Sequence, residues 1–285
     1  MDQNRRATNS QSLIRPESPL LIFDSGIGGL SVLGRIRRTL PMAPIVYAAD
    51  YAGLPYGAKS ETEIASRVPA LLGRLVERYR PRLIVIACNT ACTIALPHVR
   101  AALDIPVVGT IPAIKPAALA TKTGIFGLLG TAATIRQPYI DKLESEFAGG
   151  KLLLRYAAPE LVTAAEAKMR GDTPDASIFD GAITGLIESD PDGRRIDVTI
   201  LGCTHFPLVQ TELEDAAVNQ MGPTHPIGFV DGAHGIARRV ATLVEGQPWP
   251  DRKIAGKFVT TGNVAEMRPY KAALQRYDLM QIDAL

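Results

Sequence analysis

Short apolar runs recur along the 285-residue chain with almost no polar alternation inside them. LLIF (20–23), IVYAA (45–49), LIVIA (83–87) and PVVG (106–109) come first. GIFGLLG (124–130), DVTILG (197–202), PIGFV (226–230) and KFVTT (257–261) follow. Unbroken β-branched and aliphatic runs predict strands buried on both faces of a parallel sheet. Between two of them, Ile64, Val68, Leu71, Leu72, Leu75, Val76 and Tyr79 trace one apolar stripe at helical spacing. Pro69 falls inside the stripe, which predicts a helix that starts near Ser66 or kinks. Strands alternating with helices predict an α/β fold with right-handed crossovers.

The length allows about two domains of roughly 150 residues each. The segment 107–124 carries two prolines and a fresh strand start, so one crossing between domains is placed there. Turn formers cluster in NQMGPTHP (219–226) and place a second. The expected organisation is a first α/β domain of 19–112 with 224–285 and a second of 113–223. Residues 1–18 are polar, lack the apolar core of a signal peptide, and are expected to form a mobile extension. IVIACNTA (84–91) and VTILGCTHF (198–206) both run from strand through a small residue to cysteine, then to hydroxyl or amide side chains. That parallel hints at internal duplication.

Composition removes several function classes. The chain is 46% hydrophobic and 21% charged, with 31 basic and 29 acidic side chains and a formal net charge of +2. Nothing in that balance favours a nucleic-acid or membrane partner, since electrostatic binding needs clustered excess charge. The short cluster Arg35, Arg37 and Arg38 reads as a solvated helix face. No apolar run approaches the ~20 residues of a membrane span. Three cysteines make a disulfide framework improbable and point to a reducing cytoplasm.

In parallel α/β sheets, ligands gather beyond the carboxyl ends of the strands. Four polar signatures fall at such places: DSGIGG (24–29), Asp50 with PYG (55–57), CNT (88–90) and CTH (203–205). A free cysteine is most often a small buried hydrophobe, and Cys92 is read that way. Cys88 and Cys203 each follow a buried strand and precede a predicted helix start, where N–H groups and the dipole favour thiolate. In such settings a thiol of reference pKa ~8.5 can fall to roughly 3.5–7.5, so either can act as base or acid. A zinc set of Cys88, Cys92, Cys203 and His205 is a rival, but its spacing matches no usual finger or ribbon. GIGG followed by Asp50 partly matches a dinucleotide fingerprint, yet Ser31 stands at the third glycine position and Asp24 would oppose a pyrophosphate. No residue pattern demands a cofactor.

DSGIGGLSV, YAADYAGLPYGAKS, ACNTA, PVVGTIPAIKPA, GTAATIRQPY and LGCTHFPL, in this order and spacing, resemble the bacterial glutamate racemases of the aspartate/glutamate racemase family. The resemblance runs from residue 20 to about 245. It implies a cofactor-independent enzyme of two similar α/β domains with mainly parallel sheets and the active site in the cleft between them. It also implies interconversion of L- and D-glutamate in the cytoplasm, supplying D-glutamate for peptidoglycan synthesis; a homodimer is left open. The family's two catalytic cysteines fall on Cys88 and Cys203. Its substrate-contacting pairs fall on Asp24 and Ser25, Tyr56 and Gly57, Asn89 and Thr90, and Thr204 and His205. A catalytically assisting acid matches Glu166. The later family motif has serine after its aspartate, whereas here Gly232 follows Asp231.

The chemistry agrees with that resemblance. Inverting Cα requires a proton to leave one face and another to arrive on the opposite face, which one base on each face does most simply. Asp24 is expected beside Cys88 and His205 beside Cys203, tuning and orienting them. Ser25, Asn89, Thr90, Thr131, Thr134 and Thr204 supply neutral groups able to bind two carboxylates and an ammonium. Thr131 and Thr134 serve equally well as a helix cap. Two other classes stay open: a related cofactor-free enzyme acting on aspartate or a malonate, and a binding protein without turnover.

Overall fold

The computed structural model describes residues 14–285; the expected extension therefore lies mostly outside the described residues. Ten strands lie among the described residues: β1 (Leu20–Asp24), β2 (Ile45–Ala49), β3 (Leu83–Ile86), β4 (Val107–Gly109) and β5 (Ile125–Gly130), then β6 (Leu152–Ala157), β7 (Val198–Leu201), β8 (Gly228–Val230), β9 (Gly256–Thr260) and β10 (Leu279–Ala284). Every pairing is parallel. One sheet runs β10-β9-β2-β1-β3-β4 and the other β6-β5-β7-β8.

The two sheets share a motif. Within each, the first strand of the unit lies between its second and third, and the fourth pairs with the third: β2-β1-β3-β4 in one, β6-β5-β7-β8 in the other. Cys88 follows β3 and Cys203 follows β7, so the two thiols occupy equivalent places. The chain passes from the first sheet to the second between Gly109 and Ile125. It returns later than the 219–226 turn cluster suggests, because β8 pairs with β7 and keeps Gly228–Val230 in the second sheet.

Eight strands coincide with the apolar runs, and the two additions, β6 and β10, are both edge strands. An edge strand has one neighbour and more solvent, so its sequence can be mixed: LLLRYA and LMQIDA keep few fully buried positions. The central strands behave oppositely. Leu20, Leu21 and Ile22 are completely buried, each worth about 1.5–3 kcal/mol relative to exposure. Tyr47 stacks on Phe258, centroids 5.6 Å apart, joining β2 to β9 through the core.

Of the two alternatives for the helix around Pro69, a start near Ser66 does not occur: the helix runs through the proline. It spans Glu61–Tyr79, and Ser60 caps it by accepting from the Glu63 N–H at 3.2 Å. Pro69 forfeits one backbone bond, but burial of Ile64, Val68, Leu72 and Leu75 on the sheet holds the helix through it. Arg37 does not join a solvated face. Its guanidinium turns inward to the Ala43 carbonyl and lies 3.3 Å from Asp278. Residues 15–18 are likewise tied down: buried Arg82 donates to the carbonyls of Arg15, Pro16 and Ser18 at 2.8–2.9 Å while stacking 3.9 Å above Trp249. Among the described residues, no helix is long and apolar enough to cross a membrane.

Candidate active site

Each sheet has a switch point between its first and third strands, where the chain departs in opposite directions and leaves a crevice at the carboxyl ends. In the first sheet that crevice receives the Asp24–Ser25 loop and Cys88. In the second it receives Thr131 and Cys203. The two crevices face each other and enclose one cavity of about 460 Å³ lined by both thiols.

Cys88 caps the helix Asn89–Ala102, its sulfur accepting from the Ala91 N–H at 3.5 Å, with Ser25 Oγ 3.7 Å away. A lowered pKa is the expectation for such a cap, and the surroundings of Cys88 act in the opposite direction. Burial and the nearby Asp24 carboxylate push the Cys88 thiol well above its ordinary range, outweighing the Ala91 N–H and the Ser25 hydroxyl.

Cys203 has different company. His205 Nδ1 lies 3.8 Å from its sulfur, and His205 Nε2 lies 2.9 Å from Glu166 Oε1. Burial opposes charge on this imidazole, but its bonds to Cys203 and Glu166 win and hold its pKa well above the usual value. Glu166 shows the converse: burial would raise it, yet His205 and the hydroxyls of Tyr270 and Tyr51 keep it below the ordinary glutamate value. Both shifts run toward the charged forms, and the pair links Glu166 through His205 to the Cys203 sulfur.

The glycines of DSGIGG have a packing role here, not a phosphate-binding one. A Cβ on Gly28 would run into His205 Nδ1 and stand 2.6 Å from Thr204 Oγ1; one on Gly26 would stand 2.6 Å from Glu166 Oε1. Their bareness lets the Cys203–His205 loop of the second half press against the Asp24–Gly29 loop of the first. Ser31 fastens the contact by donating to the Thr204 carbonyl at 3.0 Å. Gly232 has a similar explanation, since a Cβ there would lie 2.9 Å from the Ile111 carbonyl.

Of the residues singled out from sequence, Ser25, Tyr56, Gly57, Cys88, Asn89, Thr90, Thr131, Cys203, Thr204 and His205 line the cavity. Asp24, Thr134 and Glu166 stand behind its wall. Asp24 is fully buried, accepting from the Gly26 N–H at 2.9 Å and from Thr204 Oγ1 at 3.0 Å; burial raises its pKa. It reaches Cys88 through space and touches the Cys203 loop directly. Thr131 both lines the cavity and caps the following helix, accepting from the Thr134 N–H, and the hydroxyls of Thr90, Thr131 and Thr134 form one cluster. Cys92 points away: its thiol donates to the Ile86 carbonyl and accepts from the Thr110 N–H, both at 3.1 Å. Among the described residues, no three His, Cys, Asp or Glu side chains gather to hold a metal ion.

Sequence reasoning passed over Arg67, Thr261, Tyr51 and Tyr270. Asp50 accepts from Arg67 Nε at 2.5 Å and Nη2 at 2.7 Å, from Tyr56 Oη at 2.6 Å and from Thr261 Oγ1 at 2.6 Å. This knot fixes the Tyr56–Gly57 turn against the cavity. Arg67 lies on the polar side of an amphipathic helix and Tyr270 in an unpatterned stretch, so neither carries a local signal.

The model of the Asp/Glu/hydantoin racemases matches residues 29–240. The glutamate racemase of Sphingopyxis alaskensis is 57% identical over 270 residues, covering 95% of this chain and 98% of that protein. That of Salmonella typhimurium is 40% identical over 277 residues, 95% and 93% of the two chains. Among solved structures, Escherichia coli glutamate racemase in complex with L-glutamate and the activator UDP-MurNAc-ala superposes with a TM-score of 0.82 at 38% identity, covering 94% and 98%. Glutamate racemase isoform RacE1 from Bacillus anthracis gives 0.78 at 28%, covering 95% and 98%. With two duplicated α/β halves, a thiol at the same strand end of each, and relatives matched along almost their whole length, this chain belongs to the Asp/Glu/hydantoin racemase family.

Proposed function

We propose that this protein interconverts L- and D-glutamate in the cytoplasm without a cofactor, supplying D-glutamate for peptidoglycan. The observation that carries this reading is that Cys88 and Cys203 approach one cavity from opposite halves of the molecule. A thiolate takes the α-proton from one face of the substrate, and the thiol across the cavity delivers its own proton to the other. Each turnover leaves the two sulfurs with exchanged protonation, and the reverse reaction restores them.

The lining supports an amino-acid substrate. Asn89 Oδ1 is buried without a hydrogen-bond partner among the described residues, an acceptor ready for an ammonium group. That ammonium also favours a thiolate at Cys88, because an added cation opposes the burial and the Asp24 carboxylate that raise the thiol. Ser25, Thr90, Thr131 and Thr204 offer hydroxyls to carboxylates, and among the described residues no lysine or arginine lines the wall. The resemblance to glutamate racemases supports assigning Cys88 to D-glutamate and Cys203 to L-glutamate. Asp24 serves Cys88 electrostatically, and the Glu166–His205 pair serves Cys203.

Incubation of either enantiomer in deuterated water tests this reading, after treatment with chelator and hydroxylamine. Optical rotation should decay to zero while deuterium enters Cα. Loss of activity on stripping, or decay without Cα exchange, overturns it.

A further inference from the structure

Glu166 is held from across the seam between the two halves. It sits on the helix Glu160–Arg170 of the second half, as His205 sits after β7 of the same half. Three of its four hydrogen bonds nevertheless come from the first half. The Ile27 N–H donates to Oε1 at 3.3 Å, while Tyr51 Oη and Tyr270 Oη donate to Oε2 at 2.9 and 2.7 Å. The fourth is His205 Nε2 on Oε1. Arg170 completes the line by donating to Tyr270 Oη at 3.1 Å, and the two phenol rings lie 5.8 Å apart in a tilted contact.

We propose that Tyr51 and Tyr270 are positioning residues for Cys203 alone, acting through Glu166 and His205. This rests on the two-thiol reading above. Two phenol donors saturate Oε2 and leave Oε1 turned toward His205. An imidazole whose Nε2 is engaged this way must present Nδ1 to the cysteine sulfur 3.8 Å away. Burial drives the Tyr51 phenol far above its ordinary pKa and the Tyr270 phenol up to about 12, so both remain donors throughout the working range. Neither phenol lines the cavity or bonds to any group on the Cys88 side. Because the donors belong to one half and the histidine to the other, the Cys203 base is complete only when the halves meet as they do here.

Racemisation rates cannot resolve the two thiols, since the equilibrium constant for enantiomers is one and kcat/KM must match in both directions. Elimination can. With a leaving group on Cβ, one thiolate takes the α-proton, the electron pair forms the Cα–Cβ double bond and the leaving group departs as an anion, so each enantiomer uses one thiol. We expect Tyr270→Phe and Tyr51→Phe, which keep the rings, each to slow elimination about tenfold for the enantiomer that Cys203→Ser abolishes, as for the loss of a hydrogen bond to a charged group. Rates with the other enantiomer should stay within about twofold, a scatter that the same loss would exceed. Equal losses with both enantiomers, or none with either, overturn the assignment and leave the phenols as packing. A wild-type protein inert toward both enantiomers overturns the two-thiol reading itself.

Discussion

Replacing Arg67 by methionine should destabilise the protein and loosen its substrate site together. The Asp50 side chain is completely buried, and Arg67 supplies two of its four hydrogen bonds. Removing one partner of a fully buried ion pair costs roughly 3–5 kcal/mol. Arg67 retains 29% side-chain exposure, so solvent already screens the pair, and Tyr56 and Thr261 still donate after the change. The expected cost is therefore about 1.5–3 kcal/mol, read as a lower urea midpoint at unchanged slope. The pH dependence has a definite sign. Burial would raise the Asp50 pKa, but Arg67, Thr261 and Tyr56 bring it below the ordinary value. Its stabilisation is thus present above the unfolded value near ~3.9 and lost as pH falls through the folded value. Losing Arg67 raises the folded value and moves the acid loss to higher pH. Because Tyr56 hangs from Asp50 and lines the cavity with Gly57, KM for glutamate should rise by more than kcat falls. A cost below about 0.5 kcal/mol, within ordinary surface substitutions, together with an unchanged KM, would refute this reasoning.

Gly28→Ala should preserve folding yet abolish most turnover, because its Cβ must displace His205 and Thr204; circular dichroism with steady-state rates checks both halves of that statement. Glu166→Gln should cost most stability between about pH 4.3 and 6.5. The carboxylate's contribution, from a lowered pKa, is lost as pH falls through its folded value, and the imidazole's, from a raised pKa, is lost as pH rises through its own. Urea midpoints of both proteins across pH would show a gap that narrows at either end.

The parallel α/β architecture was legible because central strands are buried on both faces and must be uniformly apolar, as Leu20–Phe23 and Leu83–Ile86 are. β6 and β10 escaped because edge strands obey that demand only in part. Most of the cavity wall was also legible, since the motifs sit at strand ends where parallel sheets expose backbone and side chains to a ligand. The supports behind that wall were less so. Tyr270 meets Glu166 across 104 positions of sequence and Thr261 meets Asp50 across 211, and no local pattern encodes such pairings. The upward push on the Cys88 thiol was not legible for a related reason. A helix cap is visible in sequence, whereas full burial beside Asp24 emerges only from packing.

The two-thiol account is tested most directly by the serine variants of Cys88 and Cys203, each assayed with both enantiomers of a glutamate analogue bearing a β-leaving group. Serine is nearly isosteric with cysteine but far less acidic. Both variants should lose racemisation. Each should retain elimination with one enantiomer and lose it with the other, in opposite senses. If both variants lose elimination with the same enantiomer, the two thiols do not act on opposite faces of Cα and the mechanism is wrong.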